Sequence, residues 1–161
     1  MPYRDKKFSE LLVADVYDKL VLKASQVKSG AMIYDAIEQM ISNMSRKAYV
    51  VDEEGRYLGT ISTETILKLI GYRVGVRDSS SLSFYRFLRD IFKEDVNSIM
   101  AKGRTVTKET PLTKALKIML DDHLNDLPVV DENNRLIGEL VSLELFIEGK
   151  KVFMERDEGS S

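Results

Sequence analysis

The chain contains one strand–turn–strand frame twice. Residues 48–59 read AYVVDEEGRYLG and residues 127–138 read LPVVDENNRLIG, so the second stretch repeats the first 79 positions later. Six of the twelve positions are identical, and the apolar character of the frame is kept. An internal repeat indicates a fold built from two copies of one unit, which presents two equivalent surfaces. The first question about function is therefore what those surfaces bind.

The residues around the repeated frame indicate a mixed α+β unit. In the first copy, apolar residues at helical spacing predict a helix within 31–44, and the frame itself predicts two strands. A closing helix follows, with Ser62 or Thr63 as its cap. In the second copy, Pro111 is expected in the first turn of a helix that runs through His123. Each copy thus follows the order strand, helix, strand, strand, helix.

The segment between the copies, residues 71–94, is predicted to carry a helix of its own. It is longer than the usual connection of about 4–6 residues. Leu82, Tyr85, Leu88 and Phe92 recur at steps of three and four, which is the spacing of an amphipathic helix. Two interpretations stay open: the helix packs on its own unit, or it provides a dimer contact or a lid.

Composition excludes several classes of protein. No apolar stretch in the 161 residues approaches the roughly 20 that a membrane span needs, and the N-terminus lacks the pattern of a secretory signal. The absence of cysteine excludes disulfides, thiol catalysis and cysteine-bound zinc. A net charge of −2 gives no general attraction to nucleic acid. We therefore expect a cytoplasmic protein with neither a membrane nor a nucleic acid as its partner.

The second copy carries the residues of a family resemblance. It begins DVNSIM, continues with a proline-initiated helix and a PVVD strand, and ends in a turn that closes on glycine. Over about residues 13–149 the chain resembles a tandem cystathionine-β-synthase (CBS) domain pair, also called a Bateman module. The resemblance implies an α+β fold of two βαββα repeats related by a pseudo-twofold axis, with two clefts for adenosine-type ligands. The implied division is an N-terminal extension (1–12), repeat 1 (13–70), a connector (71–94), repeat 2 (95–149) and a polar tail (150–161).

The family's ligand motif is incomplete in both copies. Its pattern is G-h-h-[S/T]-x-x-D, where h is apolar, the hydroxyl faces phosphate or ribose and the Asp binds the ribose. The first copy has Ser62 at the hydroxyl position but Thr65 at the acid position, whereas the second has Val141 and Glu144 there. Loss of a paired ribose acceptor costs about 1–3 kcal/mol, which weakens binding without abolishing it.

The resemblance also implies how the two copies combine at each cleft. One cleft would combine Glu144 with Ala24, Ser45 and Arg46, and the other would combine Ser62 and Thr65 with Arg104, Leu124 and Asn125. Arg46, Lys47 and Arg104 are the phosphate candidates. A structural interpretation stays open for each group: Ser62 as a helix cap, Glu144 as a first-turn acid, and the arginines as solvated surface charges.

Two functions follow from the resemblance. The first is a regulatory module that senses an adenine nucleotide or another adenosyl compound, with AMP, ADP, ATP and S-adenosylmethionine as candidates and no required cofactor. The alternative is a module with degenerate sites that serves homodimerisation or partner docking. The family implies a homodimer in either case, whereas the sequence does not indicate a downstream partner.

An enzymatic function is not expected. His123 is the only histidine, and no nucleophile is paired with a base in the sequence. The Asp-Glu pairs at 52–53 and 131–132 flank hairpin turns and lack the spacing of a calcium loop. The sequence therefore predicts neither catalytic residues nor a metal site.

Overall fold

The computed structural model describes residues 10–22, 24–74, 81–143, 145–146, 150 and 153–154. The chain divides into two compact units, one formed by Ala24–Gly103 and the other by Met1–Lys23 together with Arg104–Ser161. We call them the central unit and the terminal unit. Each contains one three-stranded sheet. None of the helices in the residues just given is long and apolar enough to cross a membrane.

The elements alternate between helices and short strands, as the α+β prediction requires. In chain order they are α1 (Val13–Leu20), β1 (Val21–Leu22), β2 (Gln26–Lys28), α2 (Ile33–Ser42), β3 (Lys47–Val51), β4 (Tyr57–Ser62), α3 (Thr63–Val74), α4 (Ser81–Phe92), α5 (Leu112–Asp121), β5 (Asp126–Val130) and β6 (Leu136–Val141). A 3₁₀ turn at Val96–Ser98 lies between α4 and α5.

The central unit is organised around the first copy of the frame. In its sheet β2 is parallel to β3, and β3 is antiparallel to β4. Gly55 has φ of 82°, a left-handed conformation that glycine adopts at little cost, and it lies in the turn between β3 and β4. Ile91 of α4 is fully buried in the core of this unit. The connector helix therefore packs on its own unit, which was the first of its two interpretations.

The terminal unit repeats this plan with the second copy. β6 is antiparallel to both β5 and β1, so the sheet order is β1-β6-β5. Asn134, with φ of 64°, occupies the turn position that Gly55 holds in the first copy. Val106 makes one parallel bridge to Val129, whereas in the first copy the equivalent strand β2 pairs with β3 over three residues. The first strand of the second copy is thus reduced to a single bridge.

The opening segments of the two copies are exchanged between the units. Val96, from the DVNSIM stretch of the second copy, is fully buried in the core of the central unit. Val13 and Val16, from the matching stretch of the first copy, are buried in the core of the terminal unit. The core of each unit therefore contains residues of both copies, and the units do not coincide with the sequence repeats.

Two predicted bounds of α5 were wrong by one or two residues, whereas α2 lies within its predicted range. α2 ends at Ser42 and α5 at Asp121, and each is followed two residues later by a left-handed residue, Met44 (φ 53°) or His123 (φ 54°), that stops the helix. Pro111 is the N-cap of α5 rather than a first-turn residue, because its bridge to Leu12 holds it extended.

Candidate functional site

In the central unit, N–H groups at the start of α3 donate hydrogen bonds to acceptors in the same unit. The Thr65 N–H donates to Ser62 Oγ at 3.0 Å, and the two hydroxyl oxygens of these residues lie 2.8 Å apart. The Thr63 N–H donates to the Arg46 carbonyl at 3.0 Å. Ser62, one of the two predicted caps, is therefore the cap of α3, and two of the first N–H groups of the helix already have partners.

The turn that leads into β3 places Arg46 beside this helix start. Ser45 Oγ donates to the Lys47 carbonyl at 2.8 Å and accepts from the Lys47 N–H at 3.1 Å. Lys47 is paired with Ser62 in the β3–β4 register, and the Arg46 side chain is exposed. Ala24, in contrast, is buried. The structure thus brings Ser45, Arg46 and Ser62 together on one surface of the central unit.

The terminal unit has the same backbone arrangement with different side chains. The Ser142 N–H donates to the Asn125 carbonyl at 2.9 Å, which matches the bond from Thr63 to Arg46. Asp126 is paired with Val141, so the position equivalent to Ser62 has no hydroxyl, and the helical residues begin at Ser142. Leu124 is half-buried and Asn125 is exposed. Glu144, the predicted ribose acceptor, lies outside the described residues.

Arg104 forms a two-point ion pair with Asp122. Its Nε donates to Asp122 Oδ2 at 2.9 Å and its Nη2 to Asp122 Oδ1 at 2.8 Å, while Asp121 Oδ2 lies 3.9 Å from Nη2. The hydrogen bonds from Arg104 lower the pKa of Asp122, and the acceptor oxygens of Asp122 raise the pKa of Arg104. A residue predicted to bind phosphate therefore already has one edge of its guanidinium on a carboxylate.

A neutral hydrogen bond occupies the same place in the first copy. Asn43 Nδ2 donates to Ser25 Oγ at 2.9 Å, and these residues are 79 positions before Asp122 and Arg104. Ser25 is buried, with 3% of its surface exposed. The sequence interpretation did not single out Ser25, Asn43 or Asp122, although the displacement of 79 relates each of them to a partner in the other copy.

The predicted nucleotide-binding residues are divided between the two units. The central unit carries Ala24, Ser45, Arg46, Ser62 and Thr65, and the terminal unit carries Arg104, Leu124 and Asn125. The combination of residues from both copies, which the resemblance implies, stays a prediction. Over the part of the chain that the structure describes, no group of three or more histidine or acidic side chains could hold a metal ion.

Comparisons with known proteins identify the repeated unit. A family model described as "CBS domain" matches residues 23–72 and 89–145. An uncharacterized protein of Methanocaldococcus jannaschii is 31% identical over 110 residues, which cover 68% of this chain and 38% of that protein. The chain spans 38%, 23% and 61% of the lengths of three curated relatives.

Solved structures share the fold over most of the chain. The CBS domain pair of protein MJ0100, in complex with 5′-methylthioadenosine and S-adenosyl-L-methionine, has a TM-score of 0.65 and 22% identity, and the match covers 86% of this chain and 97% of that one. CBSX2, in complex with AMP, has a TM-score of 0.66 and 20% identity, with 88% and 98% covered. The predicted α+β fold of a CBS domain pair is thereby confirmed, while the pseudo-twofold axis stays a prediction.

Proposed function

We propose that this chain, which belongs to the CBS domain family, is a regulatory module that binds an adenine nucleotide or another adenosyl compound. AMP, ADP, ATP and S-adenosylmethionine are the candidate ligands. Two proteins of the same fold have been solved with adenosyl compounds, which supports this ligand class. We further propose that the module acts in the cytoplasm and has no catalytic role of its own.

One observation carries the proposal: α3 in the central unit and the helical residues 142–143 in the terminal unit begin beside equivalent turns. The Thr63 N–H bonds to Arg46 and the Ser142 N–H to Asn125, so each unit exposes one polar side chain next to a helix N-terminus. Helix starts favour anionic groups because the peptide dipoles point their positive ends there. Two such surfaces suit the polar or anionic part of an adenosyl ligand, its sugar or its phosphate.

Regulation follows from binding if the ligand has different affinities for two arrangements of the molecule. A ligand shifts such an equilibrium only by the difference between those affinities. The proposed signal is therefore a change in the population of one arrangement, which a partner protein detects.

Direct titration tests this function. Isothermal calorimetry with AMP, ADP, ATP and S-adenosylmethionine should give saturable heats for at least one compound, together with a rise in melting temperature. Arg46→Asn should reduce the affinity for a phosphorylated ligand, while Lys28→Gln, which removes an exposed charge elsewhere in the same unit, serves as its control. The absence of both heat and thermal shift at millimolar ligand would exclude the proposed function.

A second candidate function, homodimerisation, is favoured by the positions of exposed apolar side chains. Ile41 and Leu120 are 63% and 75% exposed, and they occupy equivalent positions in α2 and α5. Leu67 and Phe146 are likewise equivalent, at 67% and 65% exposed. Large apolar side chains exposed at matched positions suit a contact with a second copy of the chain.

Sedimentation separates this candidate from ligand binding. The wild-type chain should sediment as a dimer, and Ile41→Glu with Leu120→Glu should yield monomers, because two charges cannot be buried in an apolar contact. Arg46→Asn should sediment as a dimer like the wild type. A monomeric wild-type chain at high concentration would exclude homodimerisation while leaving the ligand question to calorimetry.

A further inference from the structure

The equivalent surfaces of the two units carry opposite formal charge. The α2-end surface of the central unit consists of Ser42, Asn43, Ser45, Arg46 and Lys47, and Asn43 is hydrogen-bonded to the buried Ser25. The α5-end surface of the terminal unit consists of the residues 79 positions later, Arg104, Asp121, Asp122, Leu124, Asn125 and Asp126. The two cations give the first surface a formal charge of +2, whereas three aspartates and one arginine give the second −2.

The backbone beneath these surfaces is the same in both units, so the difference lies in the side chains. Asn43 and Asp122 are the C-caps of α2 and α5, and each N–H bonds back into its own helix. Ser25, just before β2, contacts Asn43, and Arg104, just before the bridge residue Val106, contacts Asp122. A neutral contact in one copy is therefore replaced by a charged one in the other.

Two of the three aspartates of the α5-end surface oppose the macrodipole of α5. Acids are unfavourable at a helix C-terminus, where the macrodipole is negative, yet Asp121 and Asp122 occupy the end of α5. Arg104 offsets this charge only in part, because one arginine faces two carboxylates. The surface around Arg104 thus stays net negative even though it contains a guanidinium.

The consequences for a phosphate group differ between the surfaces. A phosphate monoester carries a charge of about −1.5 to −2 at neutral pH. At the α2-end surface it would meet the exposed Arg46 next to a helix start. At the α5-end surface it would have to compete with Asp122 for one edge of Arg104 and would be repelled by two carboxylates.

We infer that the central unit and the terminal unit select adenosyl ligands by charge. The α2-end surface favours a phosphorylated adenosine, and the α5-end surface favours an adenosyl compound that carries no phosphate and is neutral or cationic at the 5′ side. This inference rests on the proposed function, since it assigns ligand classes to the two surfaces of that function.

AMP and adenosine form a matched pair of probes because they differ only in the phosphate. Calorimetric titration of the wild-type chain and its variants, in one buffer of fixed salt, gives the ratio of the two dissociation constants. Arg46→Asn, which copies Asn125 into the first copy, should weaken AMP binding about tenfold and leave adenosine binding unchanged. Asp122→Asn should strengthen AMP binding at the weaker site by about threefold, again without an effect on adenosine.

Two further variants guard against misfolding and general charge effects. Asn125→Arg introduces the first-copy residue at an exposed position without touching the ion pair, and it should also strengthen AMP binding by about threefold. Lys28→Gln and Glu132→Gln each remove one exposed charge from the same units outside the two surfaces, so they should leave the ratio unchanged.

The outcomes are distinct. If neither probe binds the wild-type chain, the proposed function fails and the charge selection fails with it. If both probes bind but Arg46→Asn, Asp122→Asn and Asn125→Arg leave the ratio of dissociation constants unaltered, the charge selection alone is overturned. Opposite shifts from Arg46→Asn and Asn125→Arg establish it.

Discussion

The guanidinium of Arg104 and the carboxylate of Asp122 form a two-point ion pair at the position where the first copy has a single neutral hydrogen bond. Both contacts join the end of a helix to the segment that enters the sheet. The side chains are 51% and 35% exposed, so solvent and salt screen the attraction between them. The pair is therefore better understood as setting the local charge than as a major source of stability.

Acid titration of Asp122→Asn should show when this carboxylate contributes to stability. The hydrogen bonds from Arg104 hold the folded-state pKa of Asp122 below its ordinary value of 3.8. A lowered pKa stabilises the folded state above the unfolded pKa, and this contribution is lost as the pH falls through the folded pKa. Urea midpoints of the wild type and variant should therefore differ by a constant amount at neutral pH, and the difference should begin to shrink near pH 4 and disappear below the folded-state pKa.

Glu132→Gln is the control for that titration, because it removes an exposed acid in the same unit. Its urea midpoint should follow that of the wild type over the whole range. A gap between wild type and Asp122→Asn that kept its size down to about pH 2 would show that Arg104 does not act through the ionised carboxylate.

Ser62→Ala should destabilise the central unit by about 1 kcal/mol, because the Thr65 N–H loses its acceptor at the start of α3. Ser62→Asp keeps an acceptor at the cap and adds a negative charge, so it should keep the stability of the wild type. The two variants together separate capping from ligand contact. Ser62→Asp should weaken the binding of a phosphorylated ligand even though the fold is intact. Chemical denaturation followed by calorimetry measures both effects.

The hairpins were predictable from sequence because local chemistry determines them. Val50 and Val51 favour extended backbone, and Gly55 supplies the left-handed residue of the turn. The helix ends were less predictable. Met44 continues the apolar spacing of α2 and His123 follows α5 without a helix-breaking residue between them, yet both have a left-handed backbone. Their backbone conformation is imposed by the turn that follows, which periodicity alone does not register.

The exchange of opening segments and the candidate site depend on contacts that sequence patterns do not encode. Val96 belongs to an apolar stretch, but nothing in its spacing tells which of two similar cores receives it. Arg104 was singled out by its position in a family pattern, whereas its partner Asp122 is 18 residues away in sequence and was missed. The repeat displacement could have related Asp122 to Asn43, yet only the fold shows that each contacts a side chain from the strand-entry segment.

Gly59→Ala should destabilise the central unit by about 1–3 kcal/mol through overpacking. A Cβ at this position would lie 2.9 Å from Met100 Sδ and 3.0 Å from its Cγ, so the Met100 side chain would have to move. Met100→Ala removes those atoms, and the double variant should therefore cost less than the sum of the two single changes. Urea denaturation of the four proteins measures this coupling.

Gly71→Ala is the matched control for Gly59→Ala. Gly71 lies in α3, and a Cβ there would have no atom within 4 Å. Alanine should stabilise that helix by about 0.5–1 kcal/mol because it loses less backbone freedom on folding than glycine. Equal effects of the two substitutions would show that Met100 does not restrict position 59.

Met44→Gly should raise the stability of the central unit by about 1 kcal/mol, because a left-handed backbone strains any residue that carries a Cβ. Met44 has φ of 53° and a side chain that is 94% exposed, so little packing is lost. His123→Gly should have the same effect on the terminal unit, where φ is 54°. Ile41→Gly, inside α2 and also exposed, should instead destabilise by about 0.5–1 kcal/mol. Thermal denaturation distinguishes these cases, and a loss of stability on Met44→Gly would mean that the exposed methionine contacts something in solution that glycine cannot replace.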